Sequence, residues 1–226
     1  MTGLPLAPVA DPGQVDCLRA QIAGRACVVI GAAPLPTPTA PVDDAEYLIA
    51  VNGGISSAPR AVDLWVVGSK VWDKPGQMDA RPMHQQMLAQ ATGRSVRYAL
   101  LLRGPKEATE GHTLARLHQL RCTIEAWSVL DKPTKRWLEG ELCARVDDKQ
   151  PCSSGMLAAA MALWCGAATV RLVGFSFTHP GYHYLPRTPG QRWWRGHVPA
   201  DRRALVALRR RFGLRVSGPI CEAMAA

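Results

Sequence analysis

The 226-residue sequence is informative first for what it lacks. No apolar run approaches the roughly 18 residues that a membrane-crossing helix needs. The opening stretch MTGLPLAPVADPGQ has neither the basic start nor the apolar centre of a secretion signal, which makes the cytoplasm the expected compartment. The seven cysteines (Cys17, Cys27, Cys122, Cys143, Cys152, Cys165 and Cys221) are odd in number and form no CxxC pair, which argues against a disulfide framework or a zinc site. Neither a P-loop nor a GxGxxG fingerprint occurs. No internal repeat is visible, and APLPTPTAP is too short a linker to divide domains. A single domain over residues 1–226 follows, and 47% hydrophobic content is too much for a disordered chain.

Acidic residues are also scarce, 18 against 27 basic ones, for a net charge of +9. The excess gathers in RRALVALRRRFGLR, with Arg202, Arg203, Arg209, Arg210 and Arg211. Such a cluster suits a nucleotide, a nucleic acid or an anionic membrane face, although for a lone charge run a solvated helix face is the better reading.

What is present alternates. Short β-branched runs at 26–31, 47–52, 63–68, 96–102, 123–129, 168–175 and 214–218 are separated by helical patterns at 14–23, 82–91, 109–120, 134–146, 154–165 and 199–212. Near-continuous apolar strands are those of a parallel sheet buried on both faces. The rhythm predicts one α/β domain, a doubly wound, mostly parallel, Rossmann-like sheet with helices on both faces. Ligands of such sheets sit beyond the carboxyl ends of the strands, so the turns after Gly31, Asn52, Gly68 and Phe175 are where chemistry is expected.

The first of these reads GAAP from Gly31, whose small residues allow a close backbone approach to a ligand. The second reads NGG: Asn52 can donate and accept, Gly53 keeps side chains clear, and a tight turn accounts for the same letters. PCSSGMLAAAMALWCG opens with Ser153 or Ser154 as helix cap and continues almost wholly apolar. A buried helix starting with two hydroxyls and Gly155 suits an anion or ribose hydroxyls, although capping alone also selects serine.

From residue 175 to 197 no regular period is visible, and a loop of that length in a compact domain reads as a lid. It carries Thr178, Tyr182, Tyr184, Arg187, Arg192, Trp193, Trp194 and Arg195, rings to stack on a base or sugar and groups to hold phosphate. His179 and His183 have no carboxylate or cysteine close by and are not expected to bind metal. His197 closes the loop just before Pro199, a good first helical residue. The positive end of a helix disfavours imidazolium, so His197 is a candidate general base, or an ordinary surface histidine at a helix start.

Taken together, Ser154-Gly155, Gly174, Tyr184, Gly196-His197, Asp201 and Ala204-Leu205 resemble the second half of the bacterial sialyltransferases of glycosyltransferase family 42. Gly31, Pro34 and Asn52 fit its first half more loosely. The resemblance implies a GT-A-type variant fold and an inverting, metal-independent transferase that needs no cofactor beyond its CMP-sugar donor. His197 would take the proton of the acceptor hydroxyl and Tyr184 would hold the departing CMP phosphate. Asn52 would contact the donor, and Ser154 with Gly155 would line the nucleotide site. Three features depart from the family: Ala32 and Ala33 replace an asparagine-bearing turn, Ser176 an acid, and Thr178 a second lid tyrosine. Each removes a donor contact, which points to a different donor or to reduced activity.

The leading expectation is therefore a transferase moving a nonulosonic acid, or a relative such as Kdo, from a CMP-sugar to a glycan or glycolipid. Its basic last helix would rest on an anionic membrane, and self-association is compatible with the sequence. A catalytically inactive nucleotide- or glycan-binding relative comes second. A nucleic-acid-binding protein using the arginines with Trp193 and Trp194 comes third, since no nucleic-acid module is present.

Overall fold

The structure is a computed structural model and describes residues 12–33, 42–68, 82–102, 121–144, 151–178, 197–218 and 220. In chain order they form α1 (Pro12–Ile22), β1 (Ala26–Ile30), β2 (Tyr47–Val51), a 3-10 turn (Asn52–Ser57), β3 (Val62–Val67), α2 (Pro82–Ala89), β4 (Ser95–Leu101) and β5 (Thr123–Val129). Then follow α3 (Lys132–Trp137), a π-helical turn (Leu138–Leu142), α4 (Ser154–Trp164), β6 (Thr169–Val173), α5 (Val198–Phe212) and β7 (Val216–Ser217). The helix expected over 109–120 and the greater part of the lid loop, 179–196, lie outside the described residues.

The strands make one seven-stranded sheet in the order β5-β4-β3-β2-β1-β6-β7, with every pairing parallel. β2 lies on one side of β1 and β6 on the other, with Val29 opposite both Ile49 and Leu172. Alternating side chains divide the core in two. Val29, Ile49, Leu64 and Val66 face a layer built from α1, α4, α5 and the π turn. Val28, Ile30, Leu48, Ala50 and Trp65 face the other layer with Ile55 and α2. Helix α4 is apolar all round because it is enclosed all round: Gly155 through Trp164 are buried, packed against β1, β6 and α5. α5 is amphipathic instead, burying Ala204, Leu205 and Leu208 and turning Val206 and its last arginines outward.

Three expectations need correction. β5 is an edge strand, with Thr123, Glu125, Ala126 and Trp127 exposed, so burial on both faces fails there. The helix expected from 134 begins earlier, because Asp131 Oδ1 accepts the Thr134 N–H at 2.8 Å and Pro133 suits the first turn. It also ends earlier, passing into the π turn at Leu138 and leaving the helix at Ala144, where φ is +50°. Gly140 weakens the α-helix there, and Glu139 is drawn inward into an ion pair with Lys135.

Candidate functional site

The order of the sheet reverses at β1, so the crevice between the ends of β1 and β6 is the topological switch point where open α/β sheets bind ligands. Its floor is two glycines in mutual contact. Gly31 N–H donates to Val173 O and Ala33 N–H to Gly174 O, both at 2.8 Å. A Cβ on Gly31 would stand 2.6 Å from Gly174 O, and Gly174 adopts φ +69°. The close approach expected at Gly31 is therefore made by the neighbouring chain segment.

The NGG segment is the start of the 3-10 turn rather than a simple tight turn. Asn52 holds a left-handed φ of +50°, one that asparagine tolerates. Its carbonyl accepts Trp65 Nε1–H at 2.9 Å, and its Oδ1 accepts the Gly68 N–H at 2.7 Å. With Oδ1 so engaged, the two Nδ2 hydrogens are what the carboxamide can offer a ligand. Gly53 is buried, and a Cβ on Gly54 would meet Ile30 O at 2.5 Å.

The start of α4 arrives at the same place. A Cβ on Gly68 would lie 3.2 Å from Asn52 Oδ1 and 3.5 Å from Ser154 Oγ, so the asparagine and the serine meet over the end of β3. Ser153 is the cap, its Oγ accepting the Met156 N–H at 3.3 Å. Ser154 thus presents the second hydroxyl to the crevice. Gly155 is explained by Phe175, whose ring would lie 2.2 Å from a Cβ there and 3.1 Å from one on Gly31.

α5 closes the arrangement. His197 is half-buried at its N-cap, and the His197 carbonyl accepts the Asp201 N–H at 2.8 Å. The Asp201 carboxylate, 6% exposed, accepts the Ser153 N–H at 2.6 Å. This bond brings the start of α5 to the start of α4, so His197 stands at the carboxyl end of the sheet with Ser153, Ser154 and Asn52. Behind the two helix starts, the Cys143 thiol is pushed well above the usual thiol range by its hydrogen bond with Cys152 and by burial, with Glu139 and Asp201 adding to the effect. All six described cysteines are free thiols.

On the lid side, Thr178 is exposed and its N–H donates to Ser176 Oγ at 3.2 Å. Ser176 and Thr178 thus bond to each other. The Arg202 guanidinium lies 5.3 Å from the Phe177 ring centroid, linking α5 to the same segment. Tyr182, Tyr184 and Trp194 lie outside the described residues. Among the described residues no three His, Cys, Asp or Glu side chains gather as metal ligands, and no helix is long and apolar enough to cross a membrane. Sequence reasoning missed the partners that set the site: Trp65 and Gly68 for Asn52, Phe175 for both glycines, and Asp201 for Ser153. Gly68 and Phe175 were marked only as strand ends and Asp201 only by the resemblance, so the residues were visible while their pairings were not.

The fold is an open, all-parallel, Rossmann-like α/β sheet, and solved structures similar to it include sialyltransferases. Campylobacter jejuni CstII in complex with CMP-3FNeuAc superimposes with a TM-score of 0.53 at 11% identity, over 87% of this chain and 81% of that one. CstII with a trisaccharide acceptor and CMP gives 0.51 at 12% identity, over 87% and 81%. The monofunctional α-2,3-sialyltransferase Cst-I of the same organism gives 0.52 at 10% identity, over 95% and 78%. Neither a family model nor the sequence of a curated protein matches the chain.

Proposed function

We propose that this protein is a glycosyltransferase that moves a nonulosonic acid from a CMP-linked donor to a hydroxyl of a glycan or glycolipid, inverting the anomeric centre without a metal ion. The observation that supports the reading is the meeting of Asn52 and Ser154 over the end of β3, with the start of α5 tied to the start of α4 through Asp201 and Ser153. That arrangement occurs on a fold shared with enzymes solved with CMP and with an acceptor trisaccharide.

In this reading the donor phosphate lies at the start of α4. Ser153 N–H and Met156 N–H are already engaged there, while the Ser154 and Gly155 N–H groups have no acceptor among the described residues. The helix end adds a favourable field for the anion. Asn52 donates from Nδ2 to the donor. His197 Nε2 or Nδ1 takes the proton of the acceptor hydroxyl as its oxygen attacks the anomeric carbon. The bond from that carbon to the phosphate oxygen breaks with its electron pair on CMP, which Tyr184 steadies by hydrogen bonding. Tyr182 and Trp194 stack on base or sugar, with Thr178 at the edge of the donor site. The exposed arginines at the end of α5 favour an anionic membrane bearing a lipid-linked acceptor, with the protein on the cytoplasmic side.

A nucleotide panel tests the reading. CMP present at about 100 times its Kd should add about 2.7 kcal/mol and raise Tm by roughly 5–10 °C, with UDP and GDP ineffective. Indifference to every nucleotide contradicts it. The mutual bonding of Ser176 and Thr178 favours, as second reading, a CMP-binding relative without turnover. CMP binding with no donor consumption selects that alternative.

A further inference from the structure

We infer that Asp201 is a positioning residue: one carboxylate locks the start of α4, where the nucleotide would lie, to the start of α5, which carries His197. The inference rests on the transferase reading for its consequences, but its geometry stands without it.

A helix start leaves its first N–H groups without intrahelical partners, and the N-cap N–H is commonly taken by an acidic side chain from the helix's own first turn. Position 156 of α4 is methionine, which cannot play that part. The acceptor comes instead from Asp201, 48 residues along the chain and one turn inside α5. The bond is short at 2.6 Å, joins a carboxylate to a backbone donor, and is nearly removed from water, all of which strengthen it. The same residue's N–H makes the α5 bond to His197 O, so Asp201 holds His197 through its main chain while it holds Ser153 through its side chain.

The bond also sets where an anion can sit. With Asp201 on Ser153 N–H and Ser153 Oγ on Met156 N–H, the donors left at the helix start are those of Ser154 and Gly155, beside Asn52 and Gly68. A phosphate that drifted one residue toward Ser153 would meet a carboxylate. Asp201 therefore fixes the register of the nucleotide relative to the base, and loss of the carboxylate should misplace both. A residue that merely supports folding would lower Tm and leave the folded fraction working normally.

The test compares Asp201→Ala and Asp201→Asn with Leu205→Ala, a core change in the same helix. Hydrogen exchange reads the tie with no substrate present. In Asp201→Ala, peptides covering the starts of α4 and α5 should both lose protection at least 10-fold beyond any global change, while Leu205→Ala shows only the global change. Asp201→Asn keeps an oxygen acceptor and should retain most of the protection, which provides a folded variant if the alanine form is unstable. With CMP by calorimetry, Asp201→Ala should weaken binding about 10-fold, and Asp201→Asn less than 3-fold. Donor turnover at saturation should fall about 100-fold in the alanine variant. Wild-type protection of both helix starts in Asp201→Ala overturns the inference, as does unchanged CMP affinity with unchanged turnover. Absence of CMP binding in the wild-type protein overturns the transferase reading instead, and hydrogen exchange then decides the tie alone.

Discussion

Phe175 stands where a side chain on Gly155 would have to be: a Cβ there would lie 2.2 Å from the ring's Cε1. The ring is packed against the main core and also borders Gly31, so it has little freedom to withdraw. Gly155→Ala should therefore cost about 1–3 kcal/mol, the usual range for overpacking. Thermal unfolding should show a drop of roughly 2–4 °C for each kcal/mol. The double variant Gly155→Ala, Phe175→Leu should recover part of the loss, and failure to recover any would place the strain elsewhere.

Asn52 separates two contributions that substitution usually confounds. Asn52→Ala loses the bond to Gly68 N–H, worth about 1 kcal/mol. It also keeps an alanine at φ +50°, which costs roughly 1–2 kcal/mol. Asn52→Gly loses the bond but not the conformational fit. Denaturant titration should rank wild type above Asn52→Gly and Asn52→Gly above Asn52→Ala, while both variants lose CMP affinity equally. An alanine variant as stable as the glycine one would contradict the conformational argument.

These two residues also show how far the sequence reached. The apolar runs of β1, β2 and β3 announced a parallel sheet because nearly every residue in them is buried. The start of α4 was visible because serine and an unbroken apolar run leave little else. Gly31 was recognisable as a close-approach position and Gly155 only as part of a helix start, while what packs against them, Gly174 and Phe175, was not legible. The Asp201–Ser153 bond, between residues 48 apart in the chain, was not legible either. The π turn escaped because local period cannot register Glu139 turning inward, a choice made by Lys135 and the enclosing core.

Asp63, 2% exposed near the amino end of β3, organises the end of the sheet away from the site. It accepts the Leu48 N–H at 2.8 Å and bonds Arg60 at 3.0 Å and Arg97 at 2.9 Å. Asp63→Ala should cost about 1–3 kcal/mol because it leaves the buried Leu48 N–H without its acceptor. Arg97→Ala should cost at most about 1 kcal/mol, since that side chain is largely exposed. Urea titration checks the contrast, and equal costs would contradict it.

Stability should also fall in alkali. Burial pushes the Cys27 and Cys165 thiols up to about 12 and Cys122 up to about 11, and it raises Tyr47 as well. The unfolded thiols release their protons from about pH 8.5. Above that pH the unfolded chain binds fewer protons than the folded one, so stability is fully present below it and is lost as pH rises toward the folded values. Each thiol contributes about 1.4 kcal/mol per pH unit once its unfolded form has ionised. Tm measured from pH 8 to pH 10.5 should decline steadily, and more shallowly in Cys27→Ala. A flat profile would contradict the burial of these groups.

The most direct test is donor consumption by His197→Ala beside calorimetric CMP binding. The account predicts that the variant binds CMP within a few-fold of the wild-type protein while turnover falls by about 100- to 10,000-fold, the range expected for loss of a general base. A variant that keeps near-normal turnover, or a wild-type protein that does not bind CMP, contradicts it.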